Sequence, residues 1–158
     1  MNTYLLLKTL HIISSVLLVG TGFGSAFYLY FINRSKNVAA IAEVSRLVVI
    51  ADWCFTTPAV IIQPISGIAL TMMAGWALHT PWILLSLVLY LLAGACWLPV
   101  VWLQIKMRNM AKSACAQQQE LPSLYWQYAR YWEYLGYPAF LAMLAVFYLM
   151  VNKPALWA

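Results

Sequence analysis

Long apolar runs separated by short polar segments dominate the chain. Residues 9–33, 53–105 and 134–152 contain no Asp, Glu, Lys or Arg, and these stretches are 25, 53 and 19 residues long. A hydrocarbon core of about 30 Å needs about 20 helical residues, so the middle stretch is long enough for two spans. The segment 75–81 separates the two, because Pro81 suits the first position of a new helix.

This pattern predicts four transmembrane helices, at residues 4–32, 51–76, 81–105 and 132–151. Continuous apolar runs favour helices over a barrel, since a backbone in lipid must satisfy its own hydrogen bonds. Residues 33–50 and 106–131 are then loops, the second with room for an interfacial helix. The expected fold class is all-α: a single transmembrane domain over residues 1–158, folded as a polytopic four-helix antiparallel bundle with both termini outside.

Composition supports a membrane location. Apolar residues make up 65% of the chain and charged residues 8%, and mean hydropathy is +0.80. Soluble domains average about 45–50% apolar and about 25% charged residues, so a water-soluble monomer is excluded. Disordered chains and disulfide-knit scaffolds need low hydrophobicity or dense cysteine, and they are excluded as well.

Basic residues lie on one side of the predicted bundle. Seven of the nine fall in the two predicted loops: Arg34, Lys36, Arg46, Lys106, Arg108, Lys112 and Arg130. The positive-inside rule makes this side cytoplasmic, which predicts a multi-pass protein of a bacterial inner membrane. The net charge of +5 therefore reports topology and contact with lipid, and nucleic acid is not an expected partner.

Helix one carries a stripe of polar and small residues at helical spacing. Its members are Lys8, His11, Ser15, Gly22 and Ser25. Polar groups at membrane depth mark function by default, and a neutral imidazole can bind haem iron or copper. His11, Lys8 and Gly22 also have purely structural interpretations: a hydrogen-bonded histidine, a lysine that reaches the headgroups, and a glycine that lets helices pack.

Candidates for a second metal ligand, beside His11, are one histidine and two methionines. His79 is predicted at the outer end of helix two, on the same side as His11, where it is either a second ligand or an exposed interfacial residue. Met72 and Met73 are soft ligands or ordinary packing residues. Three cysteines without CxxC spacing are expected to be buried or reduced thiols, and the absence of CxxCH excludes covalent c-type haem.

Helix two contains further polar residues and two prolines. Asp52 is expected to cap its N-terminus, and Gln63 near mid-span needs a partner. Pro58 and Pro64, like Pro99 in helix three, predict kinks, and the carbonyls that prolines free must be satisfied by neighbours or water. The helix therefore either lines a cavity or is a kinked structural helix.

The segment from Tyr4 to His11, with its Lys-x-x-His pattern, resembles the opening helix of HemJ-type membrane proteins, which include a protoporphyrinogen oxidase, and of the related CopD group. The whole chain resembles an uncharacterised bacterial membrane family placed near them. This resemblance implies that His11 and Lys8 are functional and that haem b is bound. It departs from the enzyme's pattern at Ser86, where a lysine is expected, so protoporphyrinogen oxidation itself is not implied.

These observations lead to one main hypothesis and two alternatives. The main one is an inner-membrane haem b protein with a redox role, either electron transfer or porphyrin oxidation, an oxidoreductase activity being left open. His11 and His79 would be metal ligands, and His11, Lys8, Ser15 and Gly22 would form the cofactor site. A membrane redox partner or quinone and a homo-oligomer are candidate partners. The alternatives are handling of copper or another small solute, and a cofactor-free subunit of a membrane complex.

Overall fold

The computed structural model describes residues 2–156, and these residues form an all-helical protein. The helices are α1 (Thr3–Ser35), α2 (Val38–Ala51), α3 (Thr57–Met73), α4 (Pro81–Ala116) and α5 (Ser123–Asn152). A π-helical turn over Asp52–Thr56 joins α2 to α3, so the backbone is helical without a break from residue 38 to residue 73. Among the described helices, α1, α4 and α5 are long and apolar enough to cross a membrane.

The predicted loop at 33–50 is wrong, because most of it is helix. After α1 ends, Lys36 adopts a left-handed conformation (φ 55°), and the Asn37 side chain accepts a hydrogen bond from the Ala40 backbone to start α2. One face of α2 is buried through Ile41, Val48 and Val49. Apolar residues at helical spacing thus fold this segment onto its neighbours, and charge alone does not prevent a helix from forming.

The exposed face of α2 carries an ion pair. Arg46 donates hydrogen bonds of 2.9 and 2.6 Å to the Glu43 carboxylate, and this hydrogen bonding, with the guanidinium charge, lowers the pKa of Glu43. Exposed pairs of this kind add little stability. Their position indicates that α2 presents a water-compatible surface.

The predicted loop at 106–131 is also mostly helical. α4 continues to Ala116, and α5 begins at Ser123, so only residues 117–122 connect them. Met107, Ala111 and Tyr125 are completely buried in this region. The basic residues that indicated a loop lie on exposed or half-exposed positions of helices that extend past the apolar stretches. Pro81 is the first residue of α4, as predicted.

Two prolines explain the shape of the α2–α3 segment. A proline lacks an N–H group and its ring clashes with the carbonyl four residues earlier. For Pro58 that position is Cys54, inside the π-helical turn. Pro64 frees the carbonyl of Val60 in the same way, and the Tyr90 hydroxyl of α4 donates a 2.7 Å hydrogen bond to that carbonyl. The prediction that a neighbour satisfies a proline-freed carbonyl is confirmed here.

The best-packed region lies at the end of the bundle where α1 meets α2 and α4 meets α5, here called the basic end. Its core contains Leu29, Ile41, Met107 and Tyr125, and the Tyr125 hydroxyl donates a 2.7 Å hydrogen bond to Asn33. A small cluster around Trp82, Ile83 and Leu149 closes the other end of the α4–α5 pair. α1 packs on α2 and α3, α4 packs on α5 and α2, and α1 touches α5 only sparsely.

Candidate functional site

His11 packs against α3. Its Nδ1 atom lies 2.8 Å from the hydroxyl oxygen of Ser66, which is 2% exposed. The Ser66 hydroxyl is in turn 2.6 Å from the Ile62 carbonyl oxygen. A carbonyl only accepts hydrogen bonds, so both contacts are hydrogen bonds only when the single hydroxyl proton lies between these two oxygens. Ser66 therefore accepts the His11 bond, and Nδ1 carries a proton.

This arrangement fixes the tautomer of the neutral imidazole. With the proton on Nδ1, the lone pair of Nε2 is free to accept a proton or bind a metal. Metal-binding histidines commonly donate their other ring N–H in this way, which orients the ring and raises its basicity. The contacts of His11 are thus those of a potential ligand as well as those of a hydrogen-bonded structural residue.

Gly67 provides the room for this ring. A Cβ atom built on Gly67 would lie 3.2 Å from Cε1 of His11, which is tighter than an ordinary van der Waals contact. The imidazole therefore lies almost against the backbone of α3. A side chain at position 67 would press on the ring, so a larger residue requires the ring or α1 to shift.

The structure separates the other residues of the predicted site. Lys8 is exposed on α1, and Ser15 donates its hydroxyl hydrogen bond to the carbonyl of Ile12 in its own helix. Gly22 faces open space, because a Cβ atom built on it would have no described neighbour within 4 Å. His79 is exposed in the segment between α3 and α4. His11, Ser66 and Gly67 form one site, and Gly22 belongs to a second feature deeper in the bundle.

Soft ligands do not gather at His11. Met72 and Met73 lie at the end of α3 and are 69% and 50% exposed. Within residues 2–156, no group of three or more His, Cys, Asp or Glu side chains is arranged to hold a metal ion.

The second feature is a cavity of about 420 Å³ between the α1–α3 and α4–α5 pairs. It begins at Leu18, two helical turns beyond His11, so the two are about 10 Å apart along α1. Its wall is mostly apolar and aromatic. Three glycines on three helices border it, and a Cβ atom built on any of them would meet no described atom within 4 Å: Gly22, Gly94 and Gly136.

Polar groups lie in the cavity wall near the π-helical turn. Asp52 is 4% exposed, and its Oδ1 atom accepts a 2.9 Å hydrogen bond from Thr56. Its Oδ2 atom and Oε1 of Gln104 are buried without a hydrogen-bond partner in the part of the chain that is described. Glu133 of α5 borders the same space.

Comparison with protein families gives a match over residues 5–154 to the predicted integral membrane proteins designated DUF2269. The chain belongs to this family. No curated protein and no solved structure matches it. The match covers almost the whole of this DUF2269 protein, including His11, Ser66 and the cavity residues, and it supports membership of a membrane family without assigning a chemistry.

Asp52 is the residue of this DUF2269 protein that sequence reasoning misplaced. It was expected to cap the N-terminus of a helix, but α2 precedes it without a break, so it has no helix start to cap. The overlooked signal was Pro58, six residues later. A proline interrupts the helical hydrogen bonds of the turn before it, and π-helical turns often occur at functional sites. Gln104 and Glu133 carried no signal, because only packing brings them to the cavity.

Proposed function

We propose that this protein crosses a bacterial inner membrane four times, with both termini outside, and holds a b-type haem through His11. The fourth span would be α3, which has 17 residues and follows the π-helical turn. The basic end would lie in the cytoplasm. The hydrogen bond between His11 and Ser66 carries the cofactor proposal, because it leaves the metal-binding nitrogen free.

The residues around His11 fit an axial ligand. Ser66 holds Nδ1, and Gly67 lets the ring lie against α3 without a side chain in the way. Lys8 lies one helical turn before His11 on α1, where its charge can meet a carboxylate such as a haem propionate. The likeness of the first helix to HemJ-type and CopD-like proteins supports the same assignment.

When bound, haem supplies one-electron transfer between ferric and ferrous iron. In such a function the protein would hold the His11 nitrogen that binds the iron and orient the imidazole ring through Ser66. The apolar faces of α1 and α3 would exclude water. Electrons would pass to a membrane partner or a quinone. The second axial ligand is not assigned to a residue.

The optical spectrum of detergent-purified protein from haem-replete cells tests this proposal. We expect a Soret band that is lost in His11→Ala and kept in His79→Ala, which removes the exposed histidine. Both variants should elute as monodisperse species in size-exclusion chromatography, so that loss of the band is not loss of fold. A colourless wild-type protein, or a Soret band that persists in His11→Ala, would refute the haem assignment.

Metal analysis of the same preparation separates the alternatives. Stoichiometric copper that is lost in His11→Ala would favour copper handling, with Met72 or Met73 as soft ligands. A protein free of both haem and metal that co-purifies with a larger complex would favour a structural subunit. The exposure of both methionines makes copper handling a weaker candidate than haem binding.

A further inference from the structure

The cavity between the helix pairs is independent of His11 and has a chemistry of its own. At about 420 Å³ it lies within the size range of pockets that hold small organic ligands, about 300–1,000 Å³. The bare glycines on α1, α4 and α5 leave its middle open. Its recognition chemistry must therefore come from the few polar groups in its wall.

Two of those polar groups, Asp52 and Gln104, are incompletely hydrogen-bonded, although Thr56 donates to one oxygen of Asp52. Asp52 and Gln104 border the cavity but are only 4% and 5% exposed, and each has a covered acceptor oxygen without a hydrogen-bond partner among the described residues. A buried carboxylate in apolar surroundings is strongly unfavourable unless a cation or a proton compensates it. A positive charge in the cavity beside Asp52 would compensate its carboxylate by charge attraction.

The sign of the cavity's charge favours a cation. Its wall holds two acidic residues, Asp52 and Glu133, and within residues 2–156 no Lys, Arg or His borders it. Aromatic rings from three helices line the remainder, among them Phe23, Trp97 and Trp132. The faces of such rings attract organic cations and stack on flat apolar groups.

The approach to the cavity lies on the lipid side. α1 and α5 touch only sparsely, and Phe23 and Phe140 stack across the gap with their ring centroids 5.2 Å apart. Phe27 and Tyr137 border the cavity and are 50% and 57% exposed on the outer surface of the bundle. The side of the cavity between these two helices is therefore bordered by aromatic rings that an apolar molecule in the bilayer can contact.

We infer that this cavity is a binding site for a lipophilic organic cation, with the Asp52 carboxylate as its counter-charge. The apolar body of the ligand occupies the space beside Gly94 and Gly136, and its positive centre lies towards Asp52 and Gln104. Entry is from the bilayer, between α1 and α5. The inference does not depend on haem, because His11 is not part of the cavity wall.

Tetraphenylphosphonium is a suitable probe, and tetraphenylborate is a control of the same shape and opposite charge. Equilibrium binding to the detergent-purified protein should be saturable for the cation and absent for the anion.

Asp52→Asn should raise the Kd for the cation by about tenfold or more, because a buried charge pair is lost. Asp52→Glu should restore part of the affinity, and Glu120→Gln, which removes an exposed acid, should leave it unchanged.

A second variant addresses the case in which Asp52→Asn does not fold. Gly136→Leu fills open space in the cavity without removing charge, and it should abolish cation binding in a protein that remains monodisperse. His11→Ala should bind the cation normally, so failure of the haem proposal would be seen separately. Equal binding of both ions, or unchanged affinity in folded Asp52→Asn and Gly136→Leu, would overturn the inference.

Discussion

The serine side chains of the apolar helices differ in their hydrogen-bond partners. Ser14, Ser15 and Ser25 each donate a hydrogen bond to a carbonyl of their own helix, which satisfies them without any partner. Ser66 also donates to its own helix, but its oxygen accepts a bond from His11 as well. A polar residue in a membrane helix is thus informative only through the contact it makes with another element.

Replacement of Ser66 tests that contact. Ser66→Ala removes the acceptor for the Nδ1 proton of His11 while the ring itself remains, so the ring loses its fixed orientation. On the haem proposal, we expect the affinity for haem to fall about 10-fold or more, the usual effect of losing such an orienting partner. Haem titration of the apoprotein measures it, with Ser15→Ala as a matched control. Equal affinities in the two variants would contradict the role given to Ser66.

Gly67 provides a steric test that does not involve a cofactor. Gly67→Leu should destabilise the protein by about 1–3 kcal/mol, because the new side chain must displace the His11 ring or move α1. Gly20→Leu places the same side chain where no described atom lies within 4 Å of the Cβ position, so it should be tolerated. Thermal unfolding in detergent compares the two. Similar losses would show that α1 and α3 do not approach each other this closely.

Helix α3 shows how one element depends on another. Pro64 leaves the Val60 carbonyl without its helical donor, and Tyr90 on α4 supplies the missing bond. The bond links the α1–α3 pair to the α4–α5 pair beside the cavity. An irregularity in one helix is thus stabilised by a side chain from another, as the absence of water in a bilayer requires.

A double-mutant cycle tests this link. Tyr90→Phe should lower stability by about 1–2 kcal/mol, because the Val60 carbonyl loses its donor. In a Pro64→Ala background the restored N–H group can donate to that carbonyl, so the same Tyr90→Phe change should have a smaller effect. Thermal unfolding of the four proteins gives the coupling. Effects of Tyr90→Phe that are equal in both backgrounds would exclude the proline-linked role.

The complete bundle is well packed at one end and open in its middle. The basic end holds a continuous apolar core and the buried Asn33–Tyr125 hydrogen bond, whereas the helix pairs separate around the cavity further along. Basic residues concentrate at the packed end, in keeping with a part of the protein that extends beyond the bilayer. α1 and α4 contain 33 and 36 residues, more than the 20 or so that a span requires.

Cysteine accessibility tests the proposed orientation. In a protein with Cys54, Cys96 and Cys115 replaced by alanine, Leu78→Cys should react with a membrane-impermeant maleimide on intact spheroplasts. Gln118→Cys at the basic end should react only after the spheroplasts are lysed, because the positive-inside rule places it in the cytoplasm. The opposite pattern would invert the topology, and labelling of both sites before lysis would contradict the four-span arrangement.

The amino-acid sequence was sufficient to predict helices, membrane insertion and the start of α4 at Pro81, since these depend on local hydrophobicity and backbone chemistry. It also singled out His11, because an imidazole within an apolar run is unusual. It failed at residues 33–50 and 106–131, where charge was taken as evidence of loops. Charged residues on one face of a helix restrict its contact with lipid, but they do not disfavour a helix that lies outside the bilayer.

Only tertiary structure decided which polar residues meet. Ser66 reaches His11 across 55 positions of the chain, Tyr90 reaches Val60 across 30, and Tyr125 reaches Asn33 across 92. Asp52 and Gln104 likewise come to one cavity from separate elements. Local sequence determines where a helix forms and which residues share its face, whereas the facing partner depends on how whole helices pack, and a single local pattern is compatible with many packings.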